Sequence, residues 1–259
     1  MDAITPAALA QSLASDRPPL VIDVRRNERF FESGHTIDGA LHRDPSRVME
    51  WQKTLPAVAD VVVYCVHGHE VSQGVAEALG ARYLEGGIEA WRQMGGDLFR
   101  KPSGSATRWV TRERPKIDRI ACPWLVRRFV DPAAEFLYAP TPEVKRVAEE
   151  REAVAYDIPD VHFSHEGERC SFDAFLRHFR LESDPALIEL AVIVRGADTN
   201  RMELAPQAAG LAAVSLGLSI LYKDDHDMLE HGMVMYDALY AWCKSGKDEV
   251  HTWNPALYR

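Results

Sequence analysis

The residue best suited to covalent chemistry in this chain is Cys65, which directly follows the short apolar run Val61–Tyr64. A run of this length and composition is typical of a buried strand. The loop after the cysteine consists of Val66, His67, Gly68, His69 and Glu70, and a helical pattern begins beyond it. A strand, a loop and a helix in this order direct successive backbone N–H groups towards one point, and the helix N-terminus adds partial positive charge there. Both effects favour a thiolate, which is the nucleophilic form, so the loop predicts a cradle for a reactive sulfur anion.

Two positions limit the chemistry of this loop. Glu70 places a negative charge close to the cradle, which disfavours an anionic donor such as thiosulfate. Val71, six residues after Cys65, stands where a phosphatase loop needs an arginine to clamp an oxyanion. The alternative for Cys65 is a buried and inert thiol, and His67 and His69 are interpreted as solvent-facing loop residues.

A candidate metal site lies in a helical stretch after residue 224. His226 and Glu230 are four residues apart, as are Asp227 and His231, so each pair shares one face of a helix. Either pair could supply two ligands to a divalent metal ion. The alternative is an acid-rich helix start whose side chains are solvated and favoured by the helix dipole.

His165 and Cys170 form a further candidate metal or oxyanion site, because both precede another helical pattern. We predict Ser171 as the N-cap of that helix and Asp173 in its first turn. Helix capping alone could explain Ser171 and Asp173. Both interpretations of this segment, a metal or oxyanion site and a capped helix start, therefore stay open.

Cys122 is a candidate reactive thiol or sulfur acceptor, because Pro123 could be the first residue of a helix and leave the thiol at its positive end. Its apolar neighbours equally predict a core position. Arginines could hold an oxyanion, or could pair with neighbouring acids. These arginines are Arg119, Arg127, Arg128, Arg169 and Arg195.

The elements that position these residues differ between the two halves of the chain. In the first half, the strand-like runs Leu20–Val24 and Val61–Tyr64 alternate with helical patterns, which predicts an α/β domain with a parallel sheet flanked by helices. The predicted helices are Thr5–Ala14, Val71–Leu79 and Ile88–Met94. In the second half helical patterns dominate, which predicts an α-rich α+β domain. We place the first domain at residues 1–102, a linker at 103–108 and the second domain at 109–259.

The composition is that of a soluble globular protein, with 46% hydrophobic and 27% charged residues. A net charge of −9 without a basic segment argues against nucleic acid or anionic membranes as partners. The longest apolar-rich stretch, Ala208–Tyr222, is shorter than the roughly 20 residues of a membrane span. We see no export signal and no short zinc spacing among the four cysteines, so we expect reduced thiols in the cytoplasm.

The first hundred residues resemble a single-domain rhodanese. The motifs that carry this resemblance are Val21–Arg25, Gly34-His35 with Asp38-Gly39-Ala40, Tyr64–Gly68 and Leu84–Trp91. The resemblance implies a central parallel sheet and sulfane sulfur carried on Cys65. It also implies a small sulfur donor, a thiol acceptor and no required cofactor.

The second half resembles the C-terminal domain of chromate-resistance regulatory proteins. The strings that carry this resemblance are Lys116–Leu125, Glu168–Phe175, Ile193–Thr199 and Asp224–Gly232. The resemblance implies a link to chromate response, through sensing or detoxification. In such regulators a DNA-binding segment precedes this domain, whereas here a rhodanese-like sequence occupies that place.

Three functions are consistent with the sequence. The first is a sulfurtransferase that carries a persulfide on Cys65 and is coupled to a chromate-resistance domain. The second is a chromate or metal sensor with a catalytically weak rhodanese module. The third is a metal-dependent redox enzyme of chromate detoxification, with a divalent metal in the second domain near His231. The sequence leaves the sulfur donor, the acceptor and the oligomeric state open.

Overall fold

The computed structural model of the chain describes residues 2–55 and 60–247, so the end of the predicted second domain, 248–259, lies outside the described residues. The strands are β1 Asp2–Ile4, β2 Leu20–Asp23, β3 His35–Ile37, β4 Leu41–His42, β5 Val61–Tyr64, β6 Arg82–Leu84, β7 Leu98–Arg100, β8 Arg108–Arg112, β9 Glu135–Ala139 and β10 Val154–Ala155. The helices are α1 Pro6–Leu13, α2 Asn27–Glu32, α3 Val48–Trp51, α4 Glu70–Leu79, α5 Gly87–Met94, α6 Asp118–Leu125, α7 Val144–Glu150, α8 Ser171–His178, α9 Pro185–Asp198, α10 Pro206–Leu221 and α11 Asp225–Ala241.

The first domain is built on a parallel sheet in which the strand order over the described residues is β1-β6-β5-β2-β4. The interior strand β2 is buried along its whole length, and most of the central strand β5 is buried as well. Strands covered on both faces need continuous apolar runs, which explains the composition of these two segments. The predicted α/β architecture of this domain is confirmed.

A buried ion pair joins three strands near the carboxyl ends of β2 and β5. The Asp23 carboxylate accepts hydrogen bonds from the Arg25 guanidinium at 2.5–2.9 Å and from the Tyr64 hydroxyl at 2.8 Å. The Tyr64 hydroxyl also accepts from the amide of Ile37 at 3.0 Å. Burial alone would raise the pKa of Asp23, but the charge of Arg25 holds that pKa below its ordinary value. The Asp23–Arg25 pair therefore links β2 to the strand that leads to Cys65.

The second domain combines a small parallel sheet with packed helices. Among the described residues its strand order is β10-β8-β9, and the buried Trp109 of β8 packs against Phe163 and Phe175. The predicted helix-rich architecture is confirmed. No helix in the described part of the chain is long and apolar enough to cross a membrane.

Helix α6 begins five residues earlier than the position of Pro123 suggested. The prediction that Pro123 opens a helix is wrong, because α6 starts at Asp118 and Pro123 lies inside it. A proline inside a helix leaves the carbonyl four residues earlier without its usual donor. That carbonyl, on Arg119, accepts a hydrogen bond from the Tyr156 hydroxyl at 3.2 Å. A π-helical turn, Val126–Val130, follows directly.

The segment between the two domains is packed against both of them. The Lys101 ammonium donates to the carbonyls of Ser105 and Pro102 and lies 4.7 Å from the centre of the Phe30 ring. Arg108, which we predicted as the last linker residue, is the first residue of β8. Across the interface, the Arg180 guanidinium of the second domain donates to the Asp38 carbonyl of the first at 3.1 Å.

Substitution of Gly39 by alanine should destabilise the protein at this interface. Gly39 has a φ of +70°, and a Cβ atom there would lie 2.6 Å from the His178 carbonyl oxygen and against the Arg180 guanidinium. Gly80, with a φ of +62° and open space around it, provides a control that carries the same backbone strain. We expect Gly39→Ala to lower the free energy of unfolding by about 1–3 kcal/mol more than Gly80→Ala. Equal losses in denaturant titrations would contradict the close contact at Gly39.

His178 should make the protein less stable in acid. Burial lowers the pKa of His178 to about 3, helped by the nearby charges of His162 and Arg180, whereas an unfolded histidine titrates near 6.5. Between these values the unfolded chain binds a proton that the folded protein does not bind. Stability is therefore lost as the pH falls from about 6.5 towards 3. His178→Phe should flatten this part of the curve of unfolding free energy against pH, and a curve that keeps its slope would refute the assignment.

Candidate functional site

The candidate nucleophile Cys65 lies directly after β5, with the loop 66–69 and the start of α4 around it. The cysteine is 6% exposed, and the prediction of a strand, a loop and a helix around it is met. Among the described residues, the backbone amides of 66–70 donate to no acceptor. Gly68 has a φ of +71° and packs so closely on the Leu84 carbonyl that a Cβ atom would lie 2.5 Å from its oxygen. Free amides at a helix start, close to a sulfur atom, can stabilise an anion on that sulfur.

The side chain that directly contacts the sulfur is Ser72, on the first turns of α4. Its hydroxyl lies 3.2 Å from the Cys65 Sγ and 3.2 Å from the His69 carbonyl oxygen. The hydroxyl has one proton, so it can donate to the carbonyl while the thiol is protonated, or to the sulfur when the sulfur is anionic. Our sequence analysis did not identify Ser72. The available signal was a polar residue on an otherwise buried face of α4.

The other residues of the loop are open to solvent. His67, His69 and Glu70 are exposed, and Val66 is partly buried. Glu70 is the first residue of α4, so its carboxylate lies at the same helix end as the cradle. Its negative charge offsets part of the positive potential that the helix start provides.

A second group of polar residues converges in the second domain, and we call Asp118, Asp157, His165 and Asp198 the acid–histidine cluster. The His165 Nε2 atom lies 3.4 Å from Asp118 Oδ2, 3.4 Å from Asp157 Oδ1 and 3.2 Å from Asp198 Oδ2. Asp118 and Asp157 are almost fully buried, Asp198 is largely buried and His165 is partly exposed. One face of the imidazole therefore reaches solvent while its Nε2 atom points at three carboxylates.

Four separate elements bring the cluster together. Asp118 begins α6, Asp157 follows β10, His165 lies in the loop before α8, and Asp198 ends α9. The backbone is left-handed at Ile117, with a φ of 48°, and at Asp157, with a φ of 51°. A β-branched residue is strained in this conformation, so the turn that aims Asp118 inwards is maintained by the surrounding contacts.

The charges of the cluster are unevenly compensated. Asp157 is paired with Arg112 at 2.5 Å and Arg119 at 3.2 Å, and it accepts a hydrogen bond from Ser171. Among the described residues, neither Asp118 nor Asp198 forms an ion pair with a lysine or arginine. Burial raises the pKa of Asp118 to about 7, and the carboxylates around His165 raise its pKa to about 12.

Cys170 lies beside the cluster and caps α8. Its Sγ atom is within 4.8 Å of carboxylate oxygens of Asp118 and Asp198. The prediction that Ser171 is the N-cap is wrong by one residue, because Cys170 has extended backbone and Ser171 is already helical. The Asp173 carboxylate accepts from the Cys170 amide at 3.0 Å, and the Ser171 hydroxyl is thereby free to donate to Asp157.

The remaining sequence candidates lie elsewhere. The structure brings His165 and Cys170 together but does not join them to the α11 residues, which make other contacts in the described part of the chain. The His231 ring stacks on Tyr222, and Glu230 pairs with Arg127. The His226 ring lies 5.3 Å from that of Tyr138, and His231 Nδ1 lies 2.8 Å from the Asp227 carbonyl.

The other candidate thiol, Cys122, is fully buried in the core of the second domain, and burial raises its pKa well above the ordinary value. Cys170 is also fully buried, with a pKa raised by the same cause. Most of the arginines proposed for an oxyanion pair with acids: Arg119 with Asp157, Arg127 with Glu230, Arg128 with Asp237 and Arg195 with Asp173.

The first domain has the parallel sheet and the cysteine loop of a rhodanese-like domain, and the family described as the rhodanese-like domain matches residues 5–94. A rhodanese-related protein from Thermoplasma volcanium is similar over 38% of this chain and 98% of its own, with 24% identity and a TM-score of 0.34. A rhodanese-like domain protein from Staphylococcus aureus is similar over 39% of this chain and 100% of its own, with 25% identity and a TM-score of 0.34.

The second domain carries the family assignment of the whole chain. The family described as ChrB, C-terminal domain, matches residues 109–243, just over half of the sequence. The chain therefore belongs to the ChrB C-terminal domain family, and it carries a rhodanese-like domain before that domain. It is 33% identical to Protein ChrB of Cupriavidus metallidurans over 132 residues, which are 51% of this chain and 39% of that protein.

Removal of the imidazole should expose the repulsion between the carboxylates of the cluster. We expect His165→Ala to lower the free energy of unfolding by about 2 kcal/mol, a value reduced from that of a fully buried pair because the ring is partly exposed. Addition of Asp118→Asn should recover part of this loss, because it removes one of the uncompensated charges. Strictly additive losses in a double-mutant cycle would show that the two residues do not interact.

Proposed function

We propose that the first domain is a sulfurtransferase module that carries sulfane sulfur as a persulfide on Cys65. The observation that supports this proposal most directly is the Cys65 sulfur, which lies 3.2 Å from the Ser72 hydroxyl and is followed by a loop whose backbone amides donate to no acceptor among the described residues. These are groups that stabilise an anionic sulfur without a metal ion or an external base.

The reaction has two steps. In the first, the Cys65 thiolate attacks the outer sulfur of a donor such as thiosulfate, a sulfur–sulfur bond forms, and sulfite leaves with the electron pair of the broken bond. In the second, an acceptor thiolate attacks the outer sulfur of the persulfide, and the Cys65 thiolate leaves. The Ser72 hydroxyl can donate to whichever sulfur anion is present after each step.

The acceptor in this proposal is a separate thiol. Cys122 and Cys170 are fully buried in the second domain, and both have raised pKa values, which favour the unreactive thiol form. A small external thiol or an exposed cysteine of another protein can reach Cys65 through the exposed side of the loop 66–70.

Loading of Cys65 can be tested by intact mass spectrometry. Incubation with a low-molecular-weight persulfide should add the mass of one sulfur atom to the wild-type protein and none to Cys65→Ser. Ser72→Ala should still accept sulfur, but more slowly, since the sulfur anion loses one donor. A wild-type protein that gains no sulfur from either a persulfide or thiosulfate would overturn the proposal.

Glu70 should disfavour thiosulfate as the donor. We expect Glu70→Arg to raise the rate of loading by thiosulfate by up to about tenfold, because the substitution reverses a charge at the cradle. Glu77→Arg, at an exposed position on the same helix, changes the net charge equally and should leave the rate near that of the wild type. Equal rates for the two variants at low salt would show that Glu70 does not act on the donor.

A further inference from the structure

The acid–histidine cluster has the composition of a metal site rather than of an ordinary ion-pair network. Its converging atoms are oxygens of Asp118, Asp157 and Asp198 and the Nε2 of His165, and those of Asp118, Asp157 and His165 lie within 4.8 Å of one another. A divalent cation that is bound by protein side chains alone commonly takes three or four ligands of these types. The partly exposed histidine provides a route from solvent to the cluster.

A separate observation at Asp118 indicates a missing partner. The Asp118 side chain is 2% exposed, and among the described residues its Oδ2 atom forms no hydrogen bond. His165 Nε2 lies 3.4 Å away, but without the geometry of a hydrogen bond. Buried carboxylate oxygens are almost always paired, so an oxygen directed at this cluster without a donor is the coordination position that a cation would occupy.

The charges of the neighbouring residues lead to the same conclusion. Arg112 and Arg119 compensate Asp157, whereas Asp118 and Asp198 share only the imidazole of His165. These two carboxylates therefore lack the guanidinium partners that Asp157 has. A divalent cation at the cluster would supply the missing positive charge.

We propose that Asp118, Asp157, His165 and Asp198 form a binding site for a divalent transition-metal ion in the second domain. The three carboxylates and one imidazole favour Mn²⁺, Fe²⁺ or Zn²⁺ over Mg²⁺ and Ca²⁺, because an imidazole nitrogen is a poor ligand for the last two. Cys170 is not part of this ligand set, because its thiol lies 3.5 Å from the Asp173 carboxylate and donates to it. The site is independent of Cys65 and of the sulfur chemistry proposed for the first domain.

The site can be tested by metal titration of the full-length protein after treatment with a chelator. Mn²⁺ and Zn²⁺ are added separately, the unbound ion is removed by gel filtration, and the bound ion is counted by elemental mass spectrometry. We expect one ion per chain and a higher melting temperature with the ion than without it. Protein that binds neither ion at micromolar concentration, with an unchanged melting temperature, would overturn the proposal and leave a proton-sharing ion-pair network.

Matched variants locate the ion. Asp198→Asn and His165→Gln keep the side-chain size close to that of the wild type, and each should weaken binding by at least about a hundredfold, the upper end of the loss typical for an outer-shell partner. Circular dichroism without metal establishes that both variants fold. Asp160→Asn, an exposed acid nearby, is the charge control and should bind like the wild type.

Two more variants test whether the ion binds on α11 instead, and whether its binding depends on Cys65. Binding that is lost in His226→Gln and kept in His165→Gln would place the ion on α11 and overturn the assignment. Cys65→Ser should bind metal like the wild type, so that the metal proposal and the sulfur-carrier proposal fail separately.

Discussion

The second domain is organised around carboxylates that lie out of contact with bulk water. Asp118 and Asp157 are 1% and 4% exposed, and a charged group in such a position is costly unless opposite charge or hydrogen bonds compensate it. The start of α6, the turn after β10, the loop before α8 and the end of α9 all meet at this point. The contacts of His165 with the three carboxylates therefore link these four elements. The left-handed backbone at Ile117 and Asp157 is conformational strain that accompanies this arrangement.

In the first domain, the buried acid is neutralised by a buried arginine. Asp23 and Arg25 compensate each other fully, and the Tyr64 hydroxyl links the pair to the strand that leads to Cys65. At Cys65 the Ser72 hydroxyl lies 3.2 Å from the sulfur, and the amides of the loop that follows have no acceptor among the described residues. Dipoles of this kind can stabilise an anion, which is the property that the proposed sulfur carrier would use.

The two domains share one cluster of buried apolar residues. Lys101 fastens the connecting segment to the first domain, and Arg180 donates to the Asp38 carbonyl from the other side of the interface. Cys122 and Cys170 are buried in this apolar cluster, which also contains Leu20 and Val63 of the first domain. His67, His69 and Glu70 next to Cys65 are exposed to solvent, and so is part of the His165 ring at the acid–histidine cluster.

The sequence alone determined the features that depend on local pattern. The apolar run Val61–Tyr64, the loop after Cys65 and the alternation of strands and helices are contiguous in the chain, so hydrophobic periodicity and turn residues were enough to predict them. The helix boundaries predicted from Pro123 and Ser171 were wrong because other side chains satisfy the backbone groups concerned. The Tyr156 hydroxyl donates to the Arg119 carbonyl across 37 residues of the chain, and the Asp173 carboxylate accepts from the Cys170 amide.

Only the tertiary structure decided which distant side chains meet. Asp118, Asp157 and Asp198 follow one another at intervals of about forty residues and share no spacing motif, so no pattern in the sequence could join them to His165. The α11 residues had the clearer metal-ligand pattern in the sequence, because they form pairs at helical spacing. In the fold, however, His231, His226 and Glu230 contact Tyr222, Tyr138 and Arg127. Spacing along a helix places side chains on a common face, but the packing of the other elements against that face decides whether it becomes a site.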